Sequence, residues 1–92
     1  MIRKFRHKQL RRFFESGDTS GIDAQFIAKL SRQLTLLDGS TGPEDMNVPG
    51  YKLHPLKGGR HGQWAVWVSA NWRLVFAFDG GHATDVDLVD YH

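Results

Sequence analysis

The sequence predicts an α+β domain, with two N-terminal helices packed on one face of a small, mainly antiparallel sheet of three to five strands. Three observations carry this. Apolar residues in the first half recur at spacings of three and four, whereas those of the second half alternate or cluster as β-branched and aromatic runs. A loop rich in glycine and proline, residues 39–50, separates the two periods. Gly80-Gly81 stands between two strand-like runs, the pattern of a two-residue hairpin turn. The 92 residues make one domain, 1–92, and a hydrophobic content of 40% is enough for a single core.

Taken in order, "IRKFR" at 2–6 alternates apolar and basic residues, which suits a short edge strand. "HKQLRRFFESG" sets Leu10, Phe13 and Phe14 on one helical stripe and ends on Gly17, a C-terminal cap. Ser20 and Asp23 are spaced as a capping pair for the next helix. From Asp23 the stripe Phe26, Ile27, Leu30, Leu34 and Leu37 keeps helical period, and Asp38-Gly39 closes it. "YKLH", "QWAVWVS", "NWRLVFAF" and "HATDVDLVDY" then read as strands of a meander.

Charge is uneven along the chain. The net charge is only +2, yet Arg3, Lys4, Arg6, Lys8, Arg11 and Arg12 all precede the first acid, Glu15. Between Asp45 and Asp79 there is again no acid, while Lys52, Lys57, Arg60 and Arg73 occur there with His54 and His61. Two basic zones without interspersed acids favour a polyanion, nucleic acid first; an ordinary solvated helix face explains the N-terminal zone equally well. The absence of cysteine excludes disulfide and thiolate-metal chemistry and suits a cytoplasmic protein. The longest apolar run, Leu74 to Phe78, is too short to cross a membrane, and no apolar stretch follows the N-terminal charges as a secretory signal requires.

The strand-rich half has the side chains for cutting RNA without a metal. A 2′-hydroxyl attacks the neighbouring phosphate; it needs a base, an acid for the departing 5′-oxygen, and positive charge on the phosphate. Histidine suits proton transfer and arginine suits the phosphate. His54, His61, His82, His92, Lys57, Arg60, Arg73 and Tyr91 are available. With a two-residue turn at Gly80-Gly81, Arg73 falls opposite Leu88 and Asn71 opposite Asp90. Alternation then gathers Asn71, Arg73, Asp90 and His92 on one face and Trp72, Leu74, Phe76 and Phe78 on the other. Tyr91 falls on the apolar side unless a bulge or an odd-length turn brings it round. His54 and Lys57 meet Arg73 if their strand neighbours "NWRLVFAF".

Each residue also has a plainer reading. Arg73 can form a structural ion pair with Asp90. Lys57 can be loop solvation, and Asn71 either reads an adenine edge or is simply a turn residue. His61 and His82 read as turn residues. The tryptophans are more often core than base-stacking platforms. A metal site from the histidines with Asp85, Asp87 and Asp90 is the weakest idea, since no ligand spacing supports it.

"LHPLKG", "ANWR" and the closing "DYH", with "MIRKFRHK" and "FFESG" earlier, resemble the HigB family of bacterial toxins within the RelE/ParE superfamily. The likeness runs the full length. It implies a RelE-like fold and a ribosome-dependent messenger-RNA endonuclease that needs no cofactor. Such a protein cuts codons in the A site of the 70S ribosome, against ribosomal RNA, and is neutralised by a HigA-like helix-turn-helix antitoxin. By the same resemblance, Arg73 and Lys57 hold the phosphate, His54 and His92 transfer protons, Tyr91 assists, Asp90 orients, and Asn71 reads the third base of the codon. The N-terminal cluster would meet ribosomal RNA phosphates. Two positions depart from the family: Ala65, where relatives often carry Ser, and Trp67, where some carry a basic residue that contacts RNA. The ParE branch, which inhibits DNA gyrase without cutting RNA, is the alternative.

Overall fold

The computed structural model describes residues 1–60 and 62–91, so His61 and His92, both named above, lie outside the described residues. Helix α1 spans Lys8–Ser16 and helix α2 spans Ile27–Asp38. The sheet has strands β1, His54–Pro55; β2, Trp64–Ser69; β3, Trp72–Asp79; and β4, His82–Asp90. They lie in the order β1-β2-β3-β4, each antiparallel to its neighbour.

Local chemistry explains the helix ends. His7 caps α1 with its ring, Nδ1 accepting from the Leu10 N–H at 3.0 Å. Gly17 closes it at φ 75°, a left-handed position that costs glycine nothing. The expected Ser20–Asp23 pair does not form. Asp18 takes the Ser20 N–H and Asp23 takes the Gln25 N–H, so α2 is entered through a 3-10 turn at Ala24–Phe26. Phe26, Leu30, Leu34 and Leu37 are buried as their period predicts, against Val66, Val68, Leu74, Phe76, Ala83 and Val86 of the sheet. Burying each such side chain stabilises the fold by roughly 1.5–3 kcal/mol.

Three features depart from the sequence reading. The loop at 39–50 contains a 3-10 turn, Pro43–Met46, whose Met46 is fully buried in the core. The "YKLH" strand shrinks to His54–Pro55. Residues 2–6 lie along β4 through two isolated parallel bridges, Ile2↔Ala83 and Phe5↔Val86, instead of forming a continuous strand.

The register of the β3–β4 hairpin matters most. Gly80-Gly81 is the two-residue turn expected, with Asp79 opposite His82. Past Ala77↔Thr84, however, the next pair is Val75↔Asp87, so β4 carries one extra residue. Asp85, at φ 53°, marks this bulge; Asp tolerates the left-handed region better than most residues. The bulge reverses the phase of everything after it. Arg73 lies opposite Val89, not Leu88, and Trp72 lies opposite Asp90. Asp90 therefore belongs to the face of Trp72 and Leu88, which packs on the helices, and not to the face of Arg73 as turn counting predicted. The physical reason is burial. Without the bulge, Asp85 and Asp87 would oppose Phe76 and Leu74 and point into the core.

Candidate active site

The sheet face turned away from the helices is built on Ala65 and Val75, both fully buried, with Leu56 beside them and Val89 and Tyr91 packed against the three. The bulge delivers Tyr91 to this platform. Its backbone N–H donates to the Asn71 carbonyl at 2.7 Å, which ties the tail to the β2–β3 turn. The Arg73 guanidinium sits 6.0 Å from the centre of the Tyr91 ring, within cation–π range. Tyr91 and Arg73 thus come together on one face, and the extra residue in β4 is what moves Tyr91 there from the side that turn counting gave it.

Arg73 is half-buried and held by its own neighbourhood. Its Nη1 donates to the carbonyls of Ala70 and Trp72, at 3.1 and 3.2 Å. Those bonds use one nitrogen of the fork and leave other donors for a phosphate. Arg73 is paired across the ladder with Trp67.

His54 lies opposite Ala65, and Ala65 opposite Val75, so it shares the face of Arg73 and Tyr91. β1 does not neighbour β3 directly; β2 lies between them. Backbones two strands apart are about 10 Å distant. Ala65, a small and fully buried residue, occupies the intervening position between His54 and Val75. The His54 ring has one fixed contact, Nδ1 to the Lys52 carbonyl at 2.8 Å. A carbonyl only accepts, so Nδ1 carries a proton and the neutral ring presents Nε2 as a lone pair.

The remaining candidates frame the site. Lys57 is exposed at the start of the 3-10 turn Gly58–Arg60 and borders a pocket of about 350 Å³ lined by Pro55, Leu56, Gly62, Gln63 and Trp64. Arg60 turns the other way, donating to Gln63 Oε1 at 3.3 Å. Asn71 is an exposed turn residue whose side chain is available to solvent. His82 is half-buried beside the Gly80-Gly81 turn, as its turn reading predicted. The acids considered for a metal are dispersed: Asp87 faces Val75, Asp85 sits at the bulge, and Asp90 is on the opposite face. Among the described residues no group of three His, Asp or Glu converges.

Two features were not anticipated. Gln33 of α2 is fully buried, its Nε2 donating to the Trp67 carbonyl at 2.9 Å, so the helix grips β2 at the level of Arg73. Trp67 carries the Lys29 and Lys52 ammonium groups at 4.1 and 5.0 Å from its ring centre. The sequence reading favoured the core for the tryptophans, and nothing in the sequence links Trp67 to Lys29.

Comparisons with known proteins fit this architecture. A family model described as "RelE-like toxin of type II toxin-antitoxin system HigB" matches residues 3–92. The "Endoribonuclease HigB" of Proteus vulgaris is 45% identical over 92 residues, covering 100% of both chains. Among solved structures, the YoeB-YefM complex from Staphylococcus aureus superposes with a TM-score of 0.64 at 17% identity, over 100% of this chain and 98% of that one. The YoeB/ParE toxin from Agrobacterium tumefaciens gives 0.57 at 18% identity, over 100% and 99%. At such identities the two structures speak for the fold alone.

Proposed function

The chain belongs to the RelE-like HigB toxin family, and from that premise we propose that it is a single-domain endoribonuclease that cuts messenger RNA in the ribosomal A site without a metal. The endoribonuclease class is supported by full-length identity to a protein of that name. The observation that carries the mechanism is the meeting of Arg73 and Tyr91 on the face shared by His54.

The steps follow from that face. His54 Nε2 takes the proton of the 2′-hydroxyl, while Nδ1 stays anchored on Lys52 and holds the ring. The 2′-oxygen attacks the phosphorus, and the charge that builds on the phosphoryl oxygens is met by the free donors of Arg73 and by Lys57. The 5′-oxygen leaves with a proton from His92, with Tyr91 helping to position the tail and Asp90 orienting it from the other side of the strand. The products are a 2′,3′-cyclic phosphate and a 5′-hydroxyl. Asn71 reads the codon's third base from the turn above Arg73, and Arg60 contributes charge at the edge. Ribosomal RNA meets the basic N-terminal segment, and a HigA-like helix-turn-helix antitoxin neutralises the toxin in the cytoplasm. No helix among the described residues is long and apolar enough to cross a membrane.

Cut sites mapped on a translated message test this. Cleavage confined to one reading frame and lost when translation is blocked is the expected result. Uniform cutting of free RNA would overturn ribosome dependence. The gyrase-inhibiting alternative is not favoured by the family match. It would return only if the protein blocked supercoiling and left translated messages intact.

A further inference from the structure

Lys29 of α2 and Lys52 before β1 converge on Trp67, with Arg32, one turn along α2, close to Lys29. Lys29 Nζ stands 4.1 Å from the indole centre and 6.0 Å from that of Tyr51, and Lys52 Nζ stands 5.0 Å from the indole. Among the described residues no ion pair engages any of the three cations. Partial burial, with Arg32 and Lys52 close by, holds the Lys29 ammonium below the ordinary lysine value. Like charges gathered without a counterion repel one another, and an arriving anion relieves that repulsion.

The cluster is also wired into the candidate active site from two sides. Trp67 Nε1 and Arg73 Nη1 donate to the same carbonyl, that of Ala70, at 3.0 and 3.1 Å. On the other side, Lys52 gives its side chain to Trp67 and its carbonyl to His54. One indole therefore separates the lysines from the arginine that would hold the scissile phosphate.

We propose that Lys29 and Lys52, arrayed on Trp67, together with Arg32 beside Lys29, form a second RNA-phosphate subsite that grips the strand beside the phosphate held at Arg73. This rests on the endoribonuclease reading above. It also gives Trp67 a role, as an aromatic platform that collects two lysines from elsewhere in the fold. An acidic protein surface would suit three cations too. Continuity with Arg73 through the Ala70 carbonyl favours RNA.

The test uses the full chain and ribosomes programmed with a message whose A-site codon carries 2′-deoxy nucleotides, so that it binds without being cut. The Lys29→Gln/Lys52→Gln double variant should bind tenfold or more weakly. Its salt slope, the change of log affinity with log salt, should be shallower by about 1.4, given about 0.7 per single-strand phosphate contact. Trp67→Leu, which keeps the charges but removes their platform, should weaken binding less than the double variant. A message with one uncharged methylphosphonate beside the cut site identifies the source. If it abolishes the difference between parent and double variant, the phosphate belongs to the messenger and the subsite stands; if the difference persists, the cations meet ribosomal RNA and the grip on the strand beside Arg73 is overturned. Equal affinity and slope for parent and variant overturn the subsite while leaving the endoribonuclease reading intact. Loss of affinity for an acidic antitoxin with RNA binding unchanged overturns it as well. A parent protein that neither binds nor cuts programmed ribosomes overturns both readings together.

Discussion

The two ends of β4 obey opposite rules. From His82 to Thr84 the strand keeps the phase set by the Gly80-Gly81 turn, with Ala83 facing the helices. From Val86 onward the phase is reversed: Val86 and Leu88 face the helices, while Asp87 and Val89 face away. One residue, Asp85, makes the difference. The turn determines register only locally, and the demand for a dry core takes over within a few residues. The half of the strand that leads to Tyr91 is the half that turn counting gets wrong.

The comparison can be broken outright by inserting one alanine between Val89 and Asp90. The strand past the insertion would reverse phase once more, sending Tyr91 to the helix face and away from Arg73. Cleavage of a translated message should fall by about a hundredfold or more, the scale lost when a positioned catalytic group is removed. Thermal unfolding of the same variant separates misplacement from collapse. Activity close to that of the parent would show that Tyr91 reaches Arg73 by another route.

Tyr91→Ala against Tyr91→Phe probes the same region more gently. Phe keeps the ring on Val75 and beside Arg73 and loses only the hydroxyl, whereas Ala loses both. Single-turnover cleavage should drop severalfold more for Ala than for Phe. Equal losses would mean that the hydroxyl alone matters and the packing does not.

Neighbouring residues past the bulge should also differ in stability. Leu88→Ala, on the core side, should cost about 2 kcal/mol or somewhat more in denaturant unfolding. Asp87→Ala, on the far side, should stay within about 0.5 kcal/mol, as ordinary surface changes do. The reverse ranking would restore the bulge-free register. The smallest effect belongs to Asp85→Gly. Glycine accepts the positive φ freely, so stability and cleavage should both stay close to the parent, while a β-branched Asp85→Val should lose about 1–2 kcal/mol.

Much of the fold was legible in the sequence. The stripe from Phe26 to Leu37, the Gly17 cap and the glycine hairpin each express a local rule, and each stands where that rule puts it. The bulge was legible in principle. Ala83, Val86 and Leu88 are spaced three and then two, and strict alternation would have buried two aspartates. Other features had no local signal. Met46 fills the core from a loop because the space above α2 must be filled. Gln33 reaches Trp67 across the helix–sheet interface, and Lys29 reaches the same ring. Such contacts depend on how elements dock, which no short window of sequence encodes. The proton on His54 Nδ1 likewise follows from a carbonyl two residues back, visible only once the backbone is placed.

The parallel seam between the N-terminal segment and β4 has a bearing on synthesis. Ile2 is bridged to Ala83 and Phe5 to Val86, with backbone bonds from Ala83 to Met1 and from Arg3 to Ala83. Ile2 and Phe5 wait for residues far along the chain before they find their place. Contacts so distant along the chain form late and slowly. A nascent chain on the ribosome therefore has its helices early but neither the seam nor the bulged half of β4. The residues that bring Tyr91 to Arg73 assemble only after residue 83 has emerged, so the face that carries them is completed later than the helices beneath it.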